Sequence, residues 1–144
     1  MNKSAMWFTA AVVALVATAC SGNPMPGDPG YAYNMNGMYD ASFEAMGVVY
    51  AGPAEIATSP GGLIYGKVDL TGPEDVVGDL SGAIVGDTLT FESNYERAGG
   101  CAGVMSGQGI IAEGGGSAVG DAVVDDDCSG DLFDATFTMT RQTE

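Results

Sequence analysis

The chain has 144 residues, room for one domain, and carries nineteen acids against four bases, a formal charge of −15. Affinity for phosphate comes from lysine and arginine, so this surplus excludes nucleic acid as a partner and opposes binding to anionic lipid, while it favours solubility and cationic partners. Histidine is absent, which removes the usual general base near neutral pH, every histidine-based triad and the commonest metal ligand.

In chain order, a short polar start with Lys3 leads into an apolar run from Ala5 to Ala17 and then through small residues to Cys20. Charge, length and small-residue exit are those of a secretory signal peptide, and the run falls short of the roughly 20 apolar residues that cross a bilayer. Val16-Ala17-Thr18-Ala19-Cys20 resembles the bacterial lipobox, with Ala17 where leucine is commoner. The resemblance implies that a signal helix, residues 1–19, is removed and that Cys20 becomes the first mature residue, acylated on its sulfur and its amine. Ser21 stands after it in place of the aspartate associated with inner-membrane retention, which implies the outer membrane of a bacterial envelope. Residues 21–37 read SGNPMPGDPGYAYNMNG, with three prolines, four glycines and no apolar period. They are expected to form a flexible tether, so that 20–37 is lipidated cysteine plus linker and 38–144 the folded domain.

The remainder is a series of short alternating runs between turn signals, the pattern of strands. The expected strands are Tyr39–Met46, Ala54–Thr58, Leu63–Leu70, Val76–Val85, Thr88–Tyr95, Cys101–Ala112, Ala118–Asp125 and Leu132–Thr140, the second being the least regular. Turn signals separate them, among them Gly52-Pro53, Pro60-Gly61-Gly62 and Gly86-Asp87, the last with glycine first as a type II′ hairpin prefers. Period two assigns faces: Phe133, Ala135, Phe137 and Met139 share one side of the last strand, and Leu89 and Phe91 one side of the fifth. The apolar side of the fourth strand alternates with glycine as Gly78, Leu80, Gly82 and Ile84. That of the sixth runs Cys101, Gly103, Met105, Gly107, Gly109 and Ile111. With 23 glycines, roughly twice the ordinary share of about 7%, long helices are disfavoured and strands bend hard and pack closely. The expected fold is all-β, a small up-and-down antiparallel barrel of about eight strands, with a β-sandwich as the alternative.

Across Gly66 to Arg141, five segments carry a family resemblance. They are Val76-Val77-Gly78-Asp79-Leu80-Ser81-Gly82, Gly86-Asp87-Thr88-Leu89-Thr90-Phe91, Cys101-Ala102-Gly103, Cys128-Ser129-Gly130 and the closing Thr136-Phe137-Thr138-Met139-Thr140-Arg141. Together they resemble the small glycine-rich bacterial lipoproteins with a calycin-like, lipocalin-like antiparallel barrel. The resemblance covers about half the chain and rests on structural residues, so it implies a fold and no catalytic residues.

Three cysteines are present, and acylation of Cys20 leaves an even pair in an exported, oxidising compartment, so Cys101 and Cys128 are expected to form a disulfide. Asp125, Asp127, Ser129 and Gly130 echo positions 1, 3, 5 and 6 of a calcium loop. Thr136 stands where the bidentate glutamate belongs and no helix pattern flanks the segment, so a solvated acidic turn is the plainer reading. Lys67 shares the wet face of its strand with Tyr65 and Asp69. No serine or threonine has a histidine to activate it, and the lone Trp7 leaves with the signal, which denies a carbohydrate cleft its usual aromatic wall. Met105 and Met139 fall on buried faces, where packing explains them better than soft-metal capture. No enzyme activity and no cofactor are expected. The expected function is that of a lipid-anchored envelope protein whose barrel is a structural or protein-interaction module with a basic partner. The alternative is a carrier of a small apolar ligand. A cavity of at least about 300 Å³ would favour the carrier and a plugged core the module.

Overall fold

Inward and outward residues alternate along every run, and the chain turns back at each glycine-bearing break, so consecutive strands pair antiparallel until the last meets the first. The computed structural model describes residues 25–28 and 30–143. Its strands are β1 (Gly37–Ala45), β2 (Val48–Thr58), β3 (Leu63–Leu70), β4 (Val76–Val85), β5 (Thr88–Arg97), β6 (Ala102–Ile111), β7 (Ser117–Asp126) and β8 (Leu132–Arg141). A single 3-10 turn, Glu113–Gly115, lies between β6 and β7. They close in sequence order into one barrel, β1 pairing with β8 from Tyr39↔Arg141 to Ala45↔Ala135. Closure leaves no unpaired sheet edge, which sets aside the sandwich alternative.

The second strand departs most from expectation. It begins at Val48, not Ala54, because the hairpin turns at Met46-Gly47, both with positive φ (52° and 75°), and Ala45 pairs with Val48. Pro53 therefore sits inside a strand. Ala51 and Thr71 exchange both backbone hydrogen bonds, and the residue two positions on would donate next to β3. Proline has no N–H to give, and the β2–β3 ladder lapses there until Ala54↔Val68. The pairing to β1 continues unbroken through Asp40↔Pro53. At the β4–β5 turn Gly86 alone has positive φ, 62°, and Val85 pairs with Thr88, as the sequence signal requires.

The tether was expected to run to Gly37, but the chain packs against the barrel well before that. Gly27 lies beside the β4–β5 turn, Ala32 against Gly62 of the β2–β3 turn, and Asn34 against Gly115. Met35 is fully buried in the core. Its N–H donates to Thr58 Oγ1 at 3.1 Å, and the Arg141 guanidinium donates to the Asn34 carbonyl at 2.6 Å. The strap lacks apolar period because it crosses the barrel end and lines no strand face. Cys20 and residues 1–24 lie outside the described residues, as does the signal-peptide expectation.

The interior has three levels. At the end covered by the strap, Met35, Tyr39, Ile64, Leu89, Ala118 and Met139 are buried in the core. Tyr39 Oη donates to the Gly115 carbonyl at 2.7 Å and accepts from Arg141 Nη2 at 2.9 Å, while the Arg141 guanidinium lies 5.4 Å from the Tyr39 ring centre. At the waist, Phe43, Phe91 and Phe137 meet with ring centres 5.0 to 6.3 Å apart, two of the three contacts edge-to-face. Gly107, directly opposite Phe91, makes this possible: a Cβ there would lie 2.4 Å from the Phe91 ring. The third level is the other end.

Candidate functional site

The end bounded by the β1–β2, β3–β4, β5–β6 and β7–β8 turns is open. Its floor is the phenylalanine waist, and it holds a pocket of about 180 Å³ walled by Val68, Leu70, Val76, Met105, Val124 and Phe133. Besides Tyr50 of β2 and Ser129 of the β7–β8 turn, the polar residues of the pocket come from two strands whose alternation carries on past the apolar core. On β5 the inward series Leu89, Phe91 continues as Ser93, Tyr95 and, at the rim, Arg97. On β7 the series Ala118, Ala122, Val124 ends on Asp126.

β6 lies between those strands, and Gly103 is the residue directly opposite both Tyr95 and Asp126. A Cβ at Gly103 would stand 2.6 Å from Tyr95 Oη, so only glycine leaves the lane through which the phenol reaches across β6. Tyr95 Oη donates to Asp126 Oδ2 at 2.7 Å. The other carboxylate oxygen accepts from Arg97 Nη2 and from the Cys128 backbone N–H, both at 3.0 Å. Arg97 Nη1 pairs in turn with Glu74, whose second oxygen accepts from Gly99 N–H at 2.8 Å. Asp126 is 3% exposed, so its charge is buried together with its partners.

These contacts decide protonation. Burial alone would raise the Asp126 carboxyl, but the hydrogen bonds from Tyr95, Arg97 and Cys128 N–H outweigh it and hold the group below the usual aspartate value. Burial, and then the carboxylate that accepts its proton, push the Tyr95 phenol well above the ordinary tyrosine value, so Tyr95 stays neutral. Burial works to lower Arg97, yet its two carboxylate partners raise it, and it stays charged. The cluster is one guanidinium between two carboxylates, with both oxygens of Asp126 engaged.

Ser93 is different. It is fully buried, lines the pocket, and its hydroxyl has no hydrogen-bond partner. Arg97 Nε shares that state. Ser93 Oγ sits over Gly78 of the neighbouring strand, 2.8 Å from where a Cβ would be.

Of the residues singled out from sequence, Cys101 and Cys128 form the expected disulfide, with Cα atoms 5.7 Å apart. Their positions extend the β6–β7 register two residues beyond Gly103↔Asp126, so the bond staples the rim beside the polar cluster. Asp125 points outward at the end of β7, Asp127 Oδ1 accepts from Ala102 N–H at 2.9 Å, and Ser129 Oγ donates to the carbonyls of Asp126 and Asp131. The acids gathered within ligand distance are instead Asp126 and Asp127, beside the two cysteine sulfurs. As a disulfide those sulfurs offer no thiolate. Lys67 is exposed, flanked across strands by Glu55 and Asp79. Ser93, Tyr95, Arg97 and Asp126 were missed, although extending period two along β5 and β7 puts all four on the apolar side.

The outer wall has a second feature. A shallow groove crosses β4 to β8 and reaches Glu44 at the end of β1, at the level of the waist, where the inward row is small: Gly82, Gly107, Ala122 and Ala135 around Phe91. Its acidic lining residues are Glu44, Glu92, Asp121 and Asp134, and no lysine or arginine lines it.

No protein-family model and no curated protein matches the chain. Among solved structures the chain is similar to EF1p2_mFAP2b bound to DFHBI, with a TM-score of 0.64 at 18% identity over 75% of this chain and 94% of that one. A redesigned β-barrel, mFAP1, bound to DFHBI gives 0.61 at 14% identity over 74% and 94%. A further redesigned barrel, b11L5F_LGL, gives 0.56 at 17% identity over 76% and 92%. At such identities the likeness is one of fold. It defines the class as a closed eight-stranded antiparallel barrel.

Proposed function

We propose that this is a lipid-anchored protein of the bacterial envelope, held through Cys20 in the outer membrane, whose barrel is an interaction module for a basic protein partner. The anchor rests on the lipobox-like run into Cys20 and on Ser21 after it. The module reading rests on one observation above all, the groove from β4 through β8 to the end of β1 with four carboxylates and no cation among its lining residues. Clustered like charge of this kind steers an oppositely charged surface and weakens with salt. The plugged waist agrees with it, and the pocket of about 180 Å³ is well under the volume of a drug-sized site. No catalysis belongs to this reading. The test is capture from envelope extract by the full chain at low and high salt, set against a variant carrying Glu44→Gln, Glu92→Gln, Asp121→Asn and Asp134→Asn. Capture lost in that variant, and kept when Asp40, Glu55, Asp69 and Asp79 on β1 to β4 are neutralised instead, supports the reading; equal loss in both reduces it to net charge. Incorporation of a fatty-acid probe that persists after Cys20→Ala would remove the anchor.

A second reading, a carrier of a small apolar ligand, is favoured by the unpartnered Ser93 hydroxyl in an apolar pocket. Two barrels of the same fold are described with a small molecule, DFHBI, bound, which adds support from analogy of fold.

A further inference from the structure

We propose that the open-end pocket binds a neutral molecule of about one six-membered ring that carries a single hydroxyl or carbonyl group for Ser93; this rests on the carrier reading and narrows it. Volume sets the size. An apolar cavity of about 150 Å³ is filled by benzene, so about 180 Å³ takes one ring with one or two further heavy atoms and leaves no room for a fused ring system. The lining sets the polarity: Phe43, Val68, Leu70, Val76, Met105 and Val124 offer a ring contacts with carbon and sulfur.

Ser93 sets the one polar group. A buried hydroxyl without a partner is costly to the protein, and a ligand that reaches it returns the missing hydrogen bond. The Tyr95 hydroxyl is spent on Asp126 and both oxygens of Asp126 are engaged, so the unpaired groups here are the Ser93 hydroxyl on the pocket wall and Arg97 Nε at the rim.

The rim sets the charge. Arg97 lies between Glu74 and Asp126, so one positive charge faces two negative ones and the entrance repels carboxylates. A cation admitted past them would lose its water against apolar walls and a neutral hydroxyl. Neutral ligands remain.

The experiment titrates the full chain with toluene, benzyl alcohol, benzoate and benzylamine, following the Met105 methyl resonance. Benzyl alcohol is expected to bind about fivefold more tightly than toluene, the worth of one ordinary hydrogen bond, with benzoate and benzylamine at least tenfold weaker than the alcohol. Ser93→Ala should lower benzyl alcohol to the level of toluene and leave toluene unchanged. If the variant keeps the preference for the alcohol, or if either ion binds as well as the alcohol does, the assigned ligand class is wrong while the carrier reading stands. If none of the four moves the Met105 methyl up to its solubility limit, the carrier reading falls with it.

Discussion

The two ends of this barrel solve the same problem in opposite ways. At one end the chain spends its own N-terminal strap: Met35 is buried in the core, and Tyr39 and Arg141 are tied to the carbonyls of Gly115 and Asn34. At the other end no segment among the described residues crosses the lumen. The turns are held instead by a disulfide and by the Glu74–Arg97–Asp126–Tyr95 chain of charge-assisted hydrogen bonds, and an apolar pocket stays open behind them. An end closed by carbon is a finished core, whereas an end closed by a polar rim keeps a mouth. The waist of three phenylalanines lets the two coexist, since it stops the pocket from running into the strap.

Breaking that divider gives the largest effect. Phe137→Ala removes the ring that touches both other waist phenylalanines and is expected to cost about 3–5 kcal/mol, read from urea unfolding. Next is the staple on one end only. Replacing Cys101 and Cys128 by serine frees a connection spanning 27 residues and should cost about 3 kcal/mol. Hydrogen exchange should quicken at the rim amides of β6 and β7 before any change around Tyr39; equal loss of protection at both ends would show that the ends are not independent.

How much of this was legible in the sequence follows the same division. The barrel wall could be read because each strand repeats a two-residue period, and the faces of β3, β4, β5, β6 and β8 fall as that period places them. The staple was legible from cysteine arithmetic. The strap was not, because Met35 plugs the end from a stretch of glycine, proline and asparagine with no period to betray it. Pro53 misled for a related reason: it punctuates most chains, and here it marks only a lapse in one of two ladders. The polar cluster was hidden inside Asp125-Asp126-Asp127, where three adjacent acids look like one solvated turn although alternation sends the middle one inward.

Acid and alkali should separate the ends more gently. Asp126 stands below its ordinary value, so its contribution is complete at neutral pH and is lost as pH falls through the lowered native value. Tyr95 and Tyr39 stand above theirs, Tyr39 chiefly through burial, so their contributions are complete below about pH 10 and are lost as pH rises through the raised values. Acid therefore loosens the open end through Asp126, while alkali acts on both ends through Tyr95 and Tyr39. Asp126→Asn is expected to flatten the acid limb of a stability–pH profile by about 1–3 kcal/mol, to shrink the Tyr95 share of the alkaline limb and to leave the Tyr39 share in place. An acid limb unchanged by Asp126→Asn would show that other carboxylates govern it.

The smallest effect has the opposite sign. Nearly every buried side chain in this barrel stabilises it, but the Ser93 hydroxyl is buried without a partner and works against the fold. Ser93→Ala should therefore raise stability by about 1 kcal/mol in the absence of any ligand, the reverse of what truncating a core residue does. The gain should be confined to the ligand-free protein. A saturating ring alcohol pairs the hydroxyl in the wild type and protects it more than the variant, so the two unfolding midpoints draw together. If Ser93→Ala instead destabilises the chain with no ligand present, the hydroxyl already has a partner such as an ordered water, and the open end is as fully satisfied as the closed one.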